Sequence, residues 1–442
     1  MKGKKCLRAA EVCVALLVTL AGLPSAHAEV KLAEGGGWGI SLDGRVNAFI
    51  SVAEGTGIPD GQPDFPGTIT KDTKDSAGDI ASTRIRNGFM MSILGFNAQK
   101  QVSEDLKVSA RIALWLNTSS SRTKNVPGPV DPRELYGRLE GSWGRFQGGS
   151  DLALFGRGGI RVDADIAHDY GMGYPCLIED ASGGACGMAA FGAVFPGFEP
   201  GLVYTTPNLA GVELSVGLYD PANIANGDLN RAPLPRLEGE LSYRLQEKLR
   251  VFSSGFWQKM EGTVSDPTGA AGARKDIHAN AWGAQAGLML GLGPVMVGGA
   301  AFTGAGLSPI THVDEHQTAV DSLGTLRKSR GVFGLAAFTI DSIHTKLAGG
   351  AGILHVDKSP NDPGPIGPTG SPTNPQVLKQ NLGVTAGIYQ TTGPVIFALE
   401  YFRAEHTMYE FGQTNPDDPN VIDIKRPSQA VNFVNAGFTV IW

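Results

Sequence analysis

Two sets of charged side chains and one pair of cysteines carry most of the chemistry open to this 442-residue chain. Arg45, Arg86, Arg111, Arg138 and Arg145 recur through its first third. Asp163, Asp165, Asp169, Glu179 and Asp180 gather in one stretch, residues 152–200, together with Cys176 and Cys186. Neither set has the spacing of a reactive site. Asp163-x-Asp165-x-Ala167-x-Asp169 opens like a calcium loop but lacks its central glycine and its terminal bidentate glutamate. His312 and His316 stand four apart in an expected loop rather than on a helix, so no metal site is assigned. His168, His278, His344 and His406 are scattered. The chain has no Gly-x-Ser-x-Gly elbow, no glycine-rich loop ending in Gly-Lys and no Cys-x-x-Cys. The expectation is therefore neither an enzyme nor a cofactor protein. Fixed charges without a reactive partner can still bias which ions enter a wet bore, and guanidinium suits that role because it stays charged at any pH.

The ends and composition limit which elements can position these residues. Lys2, Lys4, Lys5 and Arg8 precede an apolar run, Val12–Leu23, too short to span a bilayer, and Ala26-His27-Ala28 offers a small-x-small cleavage pattern. Residues 1–28 thus read as a signal peptide and 29–442 as the mature chain. Losing four cations and Glu11 takes the formal charge from −6 to −9, which argues against a nucleic-acid partner. Cys6 and Cys13 leave with the signal. Cys176 and Cys186 then read as one disulfide of an exported protein, closing a loop worth on the order of 3 kcal/mol of unfolded-state freedom. No later run approaches the roughly 20 apolar residues of a membrane helix. The 61 glycines suit bent, closely packed strands better than long helices, where each costs about 1 kcal/mol against alanine. A soluble secreted β-protein also fits this composition.

Period-2 runs fill the rest. They are Gly39–Val52, Ser82–Asn97, Leu106–Asn117, Arg133–Glu140, Gly144–Asp151, Gly201–Thr206, Val212–Tyr219, Arg236–Leu245, Leu249–Met260, Ile277–Leu290, Val295–Phe302, Gly331–Ile340, Ile343–Val356, Val377–Gln390, Val395–Glu410 and Pro427–Trp442. Short turns alternate with long connections, as a transmembrane barrel with an even strand number requires. Val46, Ala48, Ile50 and Val52 share one face of the first run, with Arg45, Asn47 and Ser51 opposite. In the second, Ile85, Phe89, Met91 and Ile93 fall on one parity and Arg84, Arg86 and Ser92 on the other. The parity of Leu249–Met260 and of Val295–Phe302 is ambiguous. Phe438, Val440 and Trp442 alternate up to the chain end, placing an aromatic where a membrane interface favours it. The expected fold is all-β, a 16-stranded antiparallel transmembrane barrel. Residues 152–200 break the pattern and are expected to fold into the lumen and narrow it; a long surface loop is the other reading.

The chain resembles the sixteen-stranded, trimeric general-diffusion porins of Gram-negative outer membranes. The resemblance rests on Ser82-Thr83-Arg84-Ile85, the turn Gln101–Lys107 into Val108–Leu114, and Arg133-Glu134-Leu135-Tyr136-Gly137-Arg138-Leu139. Val203-Tyr204-Thr205-Thr206-Pro207-Asn208-Leu209-Ala210-Gly211 and the terminal Ala436-Gly437-Phe438-Thr439-Val440-Ile441-Trp442 complete it. It spans the mature chain through short, degenerate motifs. The resemblance implies that residues 152–200, in the position of the third long loop, fold inward. Asp163, Asp165, Asp169, Glu179 and Asp180 would then face a wall row of Arg45, Arg86, Arg111, Arg138 and Arg145. It implies a homotrimer in outer-membrane lipid and lipopolysaccharide, and a terminal strand read by the barrel-assembly machinery through Phe438, Val440 and Trp442. It also implies passive diffusion of small hydrophilic solutes. The family's Pro-Glu-Phe-Gly-Gly-like turn is missing from the loop tip, where a Cys176–Cys186 hairpin would stand instead. A selective channel for sugars or organic acids would show an aromatic track, for which Trp115, Phe49 and Phe252 are candidates. A barrel enzyme would need a Ser/His/Asp cluster at one rim, and an adhesin would conduct nothing.

Overall fold

The computed structural model describes residues 29–442 except 57–79, 118–129, 176–184, 223–228, 230, 247, 266–272, 308–318, 322, 368–369, 373–376, 416, 419 and 427. Every one of the sixteen runs is a strand, and each pairs antiparallel with the next. Ser428–Ile441 then bonds to both Val395–Met408 and Trp38–Thr56 and closes the barrel. The seam ends on two reciprocal bonds, Gly44 N to Trp442 O and Trp442 N to Gly44 O, each 3.1 Å. Closure pairs both edges of the sixteen-strand wall, the condition for strands to sit in hydrocarbon. The sheet holds eighteen segments because the second wall strand comes in two pieces, Ile80–Arg86 and Ser92–Ser103. In addition, Val30–Gly35 folds back on the start of Trp38–Thr56.

The alternation that reveals the strands also sorts their faces. In Trp38–Thr56, Val46 and Ile50 are 44% and 43% exposed on the outside, while Asn47 and Ser51 are buried within. Leu135 and Leu139 point outward beside the inward Arg138, and Leu237 and Leu241 beside the inward Glu238 and Glu240. Ile112, Leu214, Leu288, Val332, Val384 and Phe438 extend the same apolar band around the barrel. Such a continuous outward belt is compatible with lipid and costly in water.

The second wall strand departs from the expected parity. Ile85 is 67% exposed and faces out, but Phe89, Met91 and Ile93 are buried inside. Arg86 lies opposite Phe49, and Ile93 opposite Arg45, so one strand spends seven residues where its partner spends four. An odd surplus reverses every later side chain. Asn87 Nδ2 fastens the interruption by donating to Ser92 Oγ (3.1 Å) and Leu116 O (3.3 Å). The Phe89 amide, lacking a strand neighbour, donates to Gly171 O at 2.7 Å.

Candidate functional site

Gly171 belongs to the segment joining strands Gly144–Leu152 and Phe198–Thr205, and that segment packs against the inner faces of the wall. Buried loop backbone needs partners, and wall side chains supply them from several directions. Glu238 accepts from Phe155 N (2.8 Å), and Gln285 from Gly159 N (3.2 Å). Glu400 accepts from Met172 N (2.7 Å), Gly173 N (3.1 Å) and Tyr389 Oη (2.6 Å). Asn435 and Asn381 donate to Gly173 O and Ala190 O. Contacts reaching the eighth, tenth, fourteenth, fifteenth and last wall strands require a position inside the barrel. The segment's one α-helix, Arg157–Ile166, lies so close to the wall that a Cβ at Gly158 would collide with the Phe252 ring.

Its apolar side chains form a hydrophobic core within the lumen. Ile160, Val162, Ile166, Met172, Met188 and Phe191 pack against Phe252, Phe333, Leu335, Phe402 and Phe433 of the wall. Tyr174 makes edge contacts with Phe191 (4.8 Å) and Phe433 (5.6 Å). The inner face is therefore packed solid where the segment docks, while a cavity stays open beside the strands that carry Arg138 and Arg145.

The five arginines named from the sequence all point inward, with different fates. Arg45 meets the segment, bonding Asp169 Oδ1 (2.9 Å) and Asp169 O (3.0 Å) with its guanidinium 5.5 Å from the Tyr170 ring. Arg86 is wholly buried and lies 3.5 Å from Pro175 O, so it seals the segment rather than lining water. Arg111 is held on the wall by Asp43 (2.5 Å), Glu134 (2.5 Å) and Asn97 (2.9 Å). Arg138 binds Gln147 (2.5 Å) and Asp151 (3.2 Å), and Arg145 lies 3.9 Å from Glu140.

Among the described acids of the segment, Asp169 pairs with the wall row, whereas Asp163 and Asp165 do not. Asp163 departs from the expected place: it is fully buried and faces its own segment. It accepts Met188 N at 2.7 Å and lies 2.6 Å from His168 Nδ1, while His168 Nε2 is 3.1 Å from Thr385 Oγ1. Burial disfavours the imidazolium, but the Asp163 carboxylate outweighs it and holds the His168 pKa above its ordinary value. Asp165 projects into the lumen, where crowding and the nearby Asp169 charge raise its pKa. Glu179, Asp180 and Cys176 lie outside the described residues. Phe49, Trp115 and Phe252 face inward but are buried beneath the segment and its flanks, so they form no open aromatic track.

Several lumen charges escaped the sequence reading. Glu238 and Glu240 alternate with outward leucines in Arg236–Leu245, a signal equal to that of the chosen arginines. Arg157 and Arg161, one helical turn apart, were there to be read as one face of a helix; Arg157 pairs with Glu240 at 2.6 Å. Burial, and secondarily the neighbouring Arg157 and Arg250 cations, push the Arg161 pKa down to about 10, so the group stays charged at neutral pH. A cavity of ≈ 330 Å³ opens here, lined by Arg138, Arg145, Arg157, Arg161 and Arg244 against the three carboxylates Asp151, Glu199 and Glu213.

No protein-family model matches the chain, and no characterised protein sequence matches it. Solved structures do. The outer membrane channel DcaP of Acinetobacter baumannii superposes with a TM-score of 0.59 at 14% identity, covering 92% of this chain and 99% of its own. The anion-selective porin from Comamonas acidovorans gives 0.56 at 11% identity, with 92% and 100% covered. Outer-membrane expressed OmpT of Vibrio cholerae gives 0.52 at 12%, with 93% and 100% covered. At such identities the likeness is one of fold: this chain has the architecture of the outer-membrane porins.

Proposed function

We propose that the chain is an outer-membrane channel through which small hydrophilic solutes and ions diffuse passively, along a water-filled lumen narrowed by residues 152–200. The observation that carries this reading is the division of the barrel interior. One side is filled by the docked segment, while the other keeps a charged cavity among Arg138, Arg145, Arg157, Arg161 and Arg244. A passage of that kind needs no reactive group. The Asp163–His168–Thr385 relay has the order of a hydrolytic triad, but all three side chains are buried, and a solute cannot reach them.

The remaining parts of the proposal follow from the same architecture. Residues 1–28 act as a cleaved export signal, and Phe438, Val440 and Trp442 present the last strand to the barrel-assembly machinery. That strand supports the role, since Phe438 faces outward and the Trp442 backbone closes the seam. The mature barrel sits in outer-membrane lipid and lipopolysaccharide as a homotrimer, by analogy with a Vibrio cholerae OmpT structure described as a trimer form. A Cys176–Cys186 disulfide stiffens the segment's far arm, in keeping with the disulfide-bonded state of Cys186.

Planar-bilayer recording on the purified, refolded chain tests the central claim. Ohmic steps in groups of three are the expected result. A folded barrel that conducts nothing would overturn the channel reading and leave an anchored adhesin.

A further inference from the structure

Most arginines of the lumen are committed to neighbours; three are not. Among the described residues, Arg161, Arg244 and Arg250 have no carboxylate within ion-pair distance, whereas Arg45, Arg111, Arg138, Arg145 and Arg157 each have one. Arg244 and Arg250 are register partners across adjacent strands. Both share the inward face, since Glu240 and Phe252, on their parities, are buried while Leu241 and Val251 are exposed outside. Like charges placed directly opposite one another destabilise a sheet. Arg250 is also only 7% exposed, with its guanidinium 5.8 Å from the Phe252 ring and no carboxylate in direct ion-pair contact among the described residues. Arg161 reaches the same region from the docked helix, one turn beyond Arg157. Asp165 acts on Arg161 and Arg250 electrostatically but bonds to neither among the described residues.

The place is also informative. Arg244 and Arg250 flank the short turn after Arg236–Leu245, and Arg145 follows the short turn after Val130–Gly141. The cavity of ≈ 330 Å³ therefore runs along the wall from Arg145 and Arg244 beside the short turns to Asp151 and Glu199, where the inner segment leaves and rejoins the wall, with five arginines and three carboxylates on its lining. Its size admits a small organic or inorganic anion.

We propose that this cavity is a weak binding site for small oxyanions in transit. The Arg161 and Arg244 guanidiniums on its lining supply the uncommitted positive charge that receives a carboxylate or phosphate group, and Arg250, the register partner of Arg244, adds to the positive field behind them, so the channel prefers anions although its chain is net negative. Planar forked donors match two oxygens at once, which an ammonium group cannot do. The proposal rests on the channel reading above and extends it to a substrate class.

The test uses the full mature chain in planar bilayers at low ionic strength. Steps from the wild type establish the channel independently, so a silent barrel indicts that reading and not this one. Given steps, a potassium chloride gradient should show anion preference, and millimolar inorganic phosphate should reduce the chloride current. R161Q and R244Q should each lower the chloride-to-potassium permeability ratio at least about twofold, since removing a lumen cation at low salt weakens both the attraction of chloride and the repulsion of potassium. Together they should abolish the phosphate block. R161K should keep the selectivity and weaken the block. R330Q, whose exposed ion pair with Asp357 lies by a long connection, should change neither. Malonate in place of phosphate assigns the group recognised: block by both shows that the site reads an oxyanion of either kind, and block by one names it. Cation preference in the wild type, no block by either anion, or an unaltered R161Q/R244Q double variant overturns the proposal.

Discussion

Removing the Asp163 carboxylate should loosen the inner segment while leaving the barrel standing. Asp163 is fully buried and serves two donors at once, Met188 N at 2.7 Å and His168 Nδ1 at 2.6 Å. In Asp163→Ala the amide loses its acceptor and the imidazole its counter-charge. Breaking a buried pair by deleting one partner costs about 3–5 kcal/mol, and that range already includes most of the amide's penalty because the losses share one site. With about 4 kcal/mol taken from local docking, and 1.4 kcal/mol per tenfold, opening of the segment should become about 10³-fold more frequent. Asp163→Asn keeps an acceptor and the shape but not the charge; charge-assisted bonds are roughly twice as strong as neutral ones, so about half the loss is expected. Amide hydrogen exchange on the folded barrel in detergent reads this directly. Protection at Met188 and Phe191 should fall by those factors, and protection in the wall strands should not. Wild-type protection in Asp163→Ala would refute the assignment of Asp163 as the segment's staple. So would a loss spread evenly over the sheet, which would make the barrel itself dependent on this residue.

The same pair sets a pH dependence. The His168 pKa is raised, so its contribution to docking is present in full below about 6.5 and is lost as pH rises through the raised value; exchange corrected for intrinsic rates should show weaker protection at pH 9 than at pH 6, and Asp163→Asn should flatten the difference. Glu400→Gln should free the arm around Met172 and Gly173 while the helix Arg157–Ile166 stays docked through Glu238, Glu240 and Gln285, a polarity visible by limited proteolysis. Gly171→Ala should mimic it, because a Cβ there would collide with the Glu400 carboxylate, and combining the two should add little. Deleting Trp442 removes both seam bonds to Gly44 and should lower the fraction of chain recovered as folded barrel from cells; an unchanged yield would show that the terminal residue is dispensable.

The barrel was legible because lipid outside and water inside impose opposite chemistry on alternate residues. Val46 against Asn47 and Leu139 against Arg138 state that rule locally, and the ladder only repeats it. Legibility failed where the inside is not water. The parity of Leu249–Met260 and Val295–Phe302 is ambiguous in sequence because both faces are apolar: Phe252, Phe256, Ala300 and Phe302 lie inside and buried, while Val251 is exposed outside. That ambiguity was itself a sign that the inner segment covers those strands. The misplaced parity of Phe89, Met91 and Ile93 has another cause, an interruption held by the Asn87 side chain that no period-2 count can register. Within the segment, charge alone did not separate Asp163, which staples, from Asp169, which pairs with Arg45. Their difference depends on three-dimensional partners such as Met188 and Thr385.

The bond from Phe89 N to Gly171 O ties the order of assembly together. The second wall strand cannot satisfy its own backbone until the inner segment arrives. The segment in turn is held by Glu400 and Asn435, which belong to the last two strands of the chain. A partly built sheet, however many hairpins it has zipped, therefore carries a gap near its beginning that only its end can fill. Curling the sheet shut and seating the segment become one cooperative event, in which the first strands of the barrel are among the last to be finished.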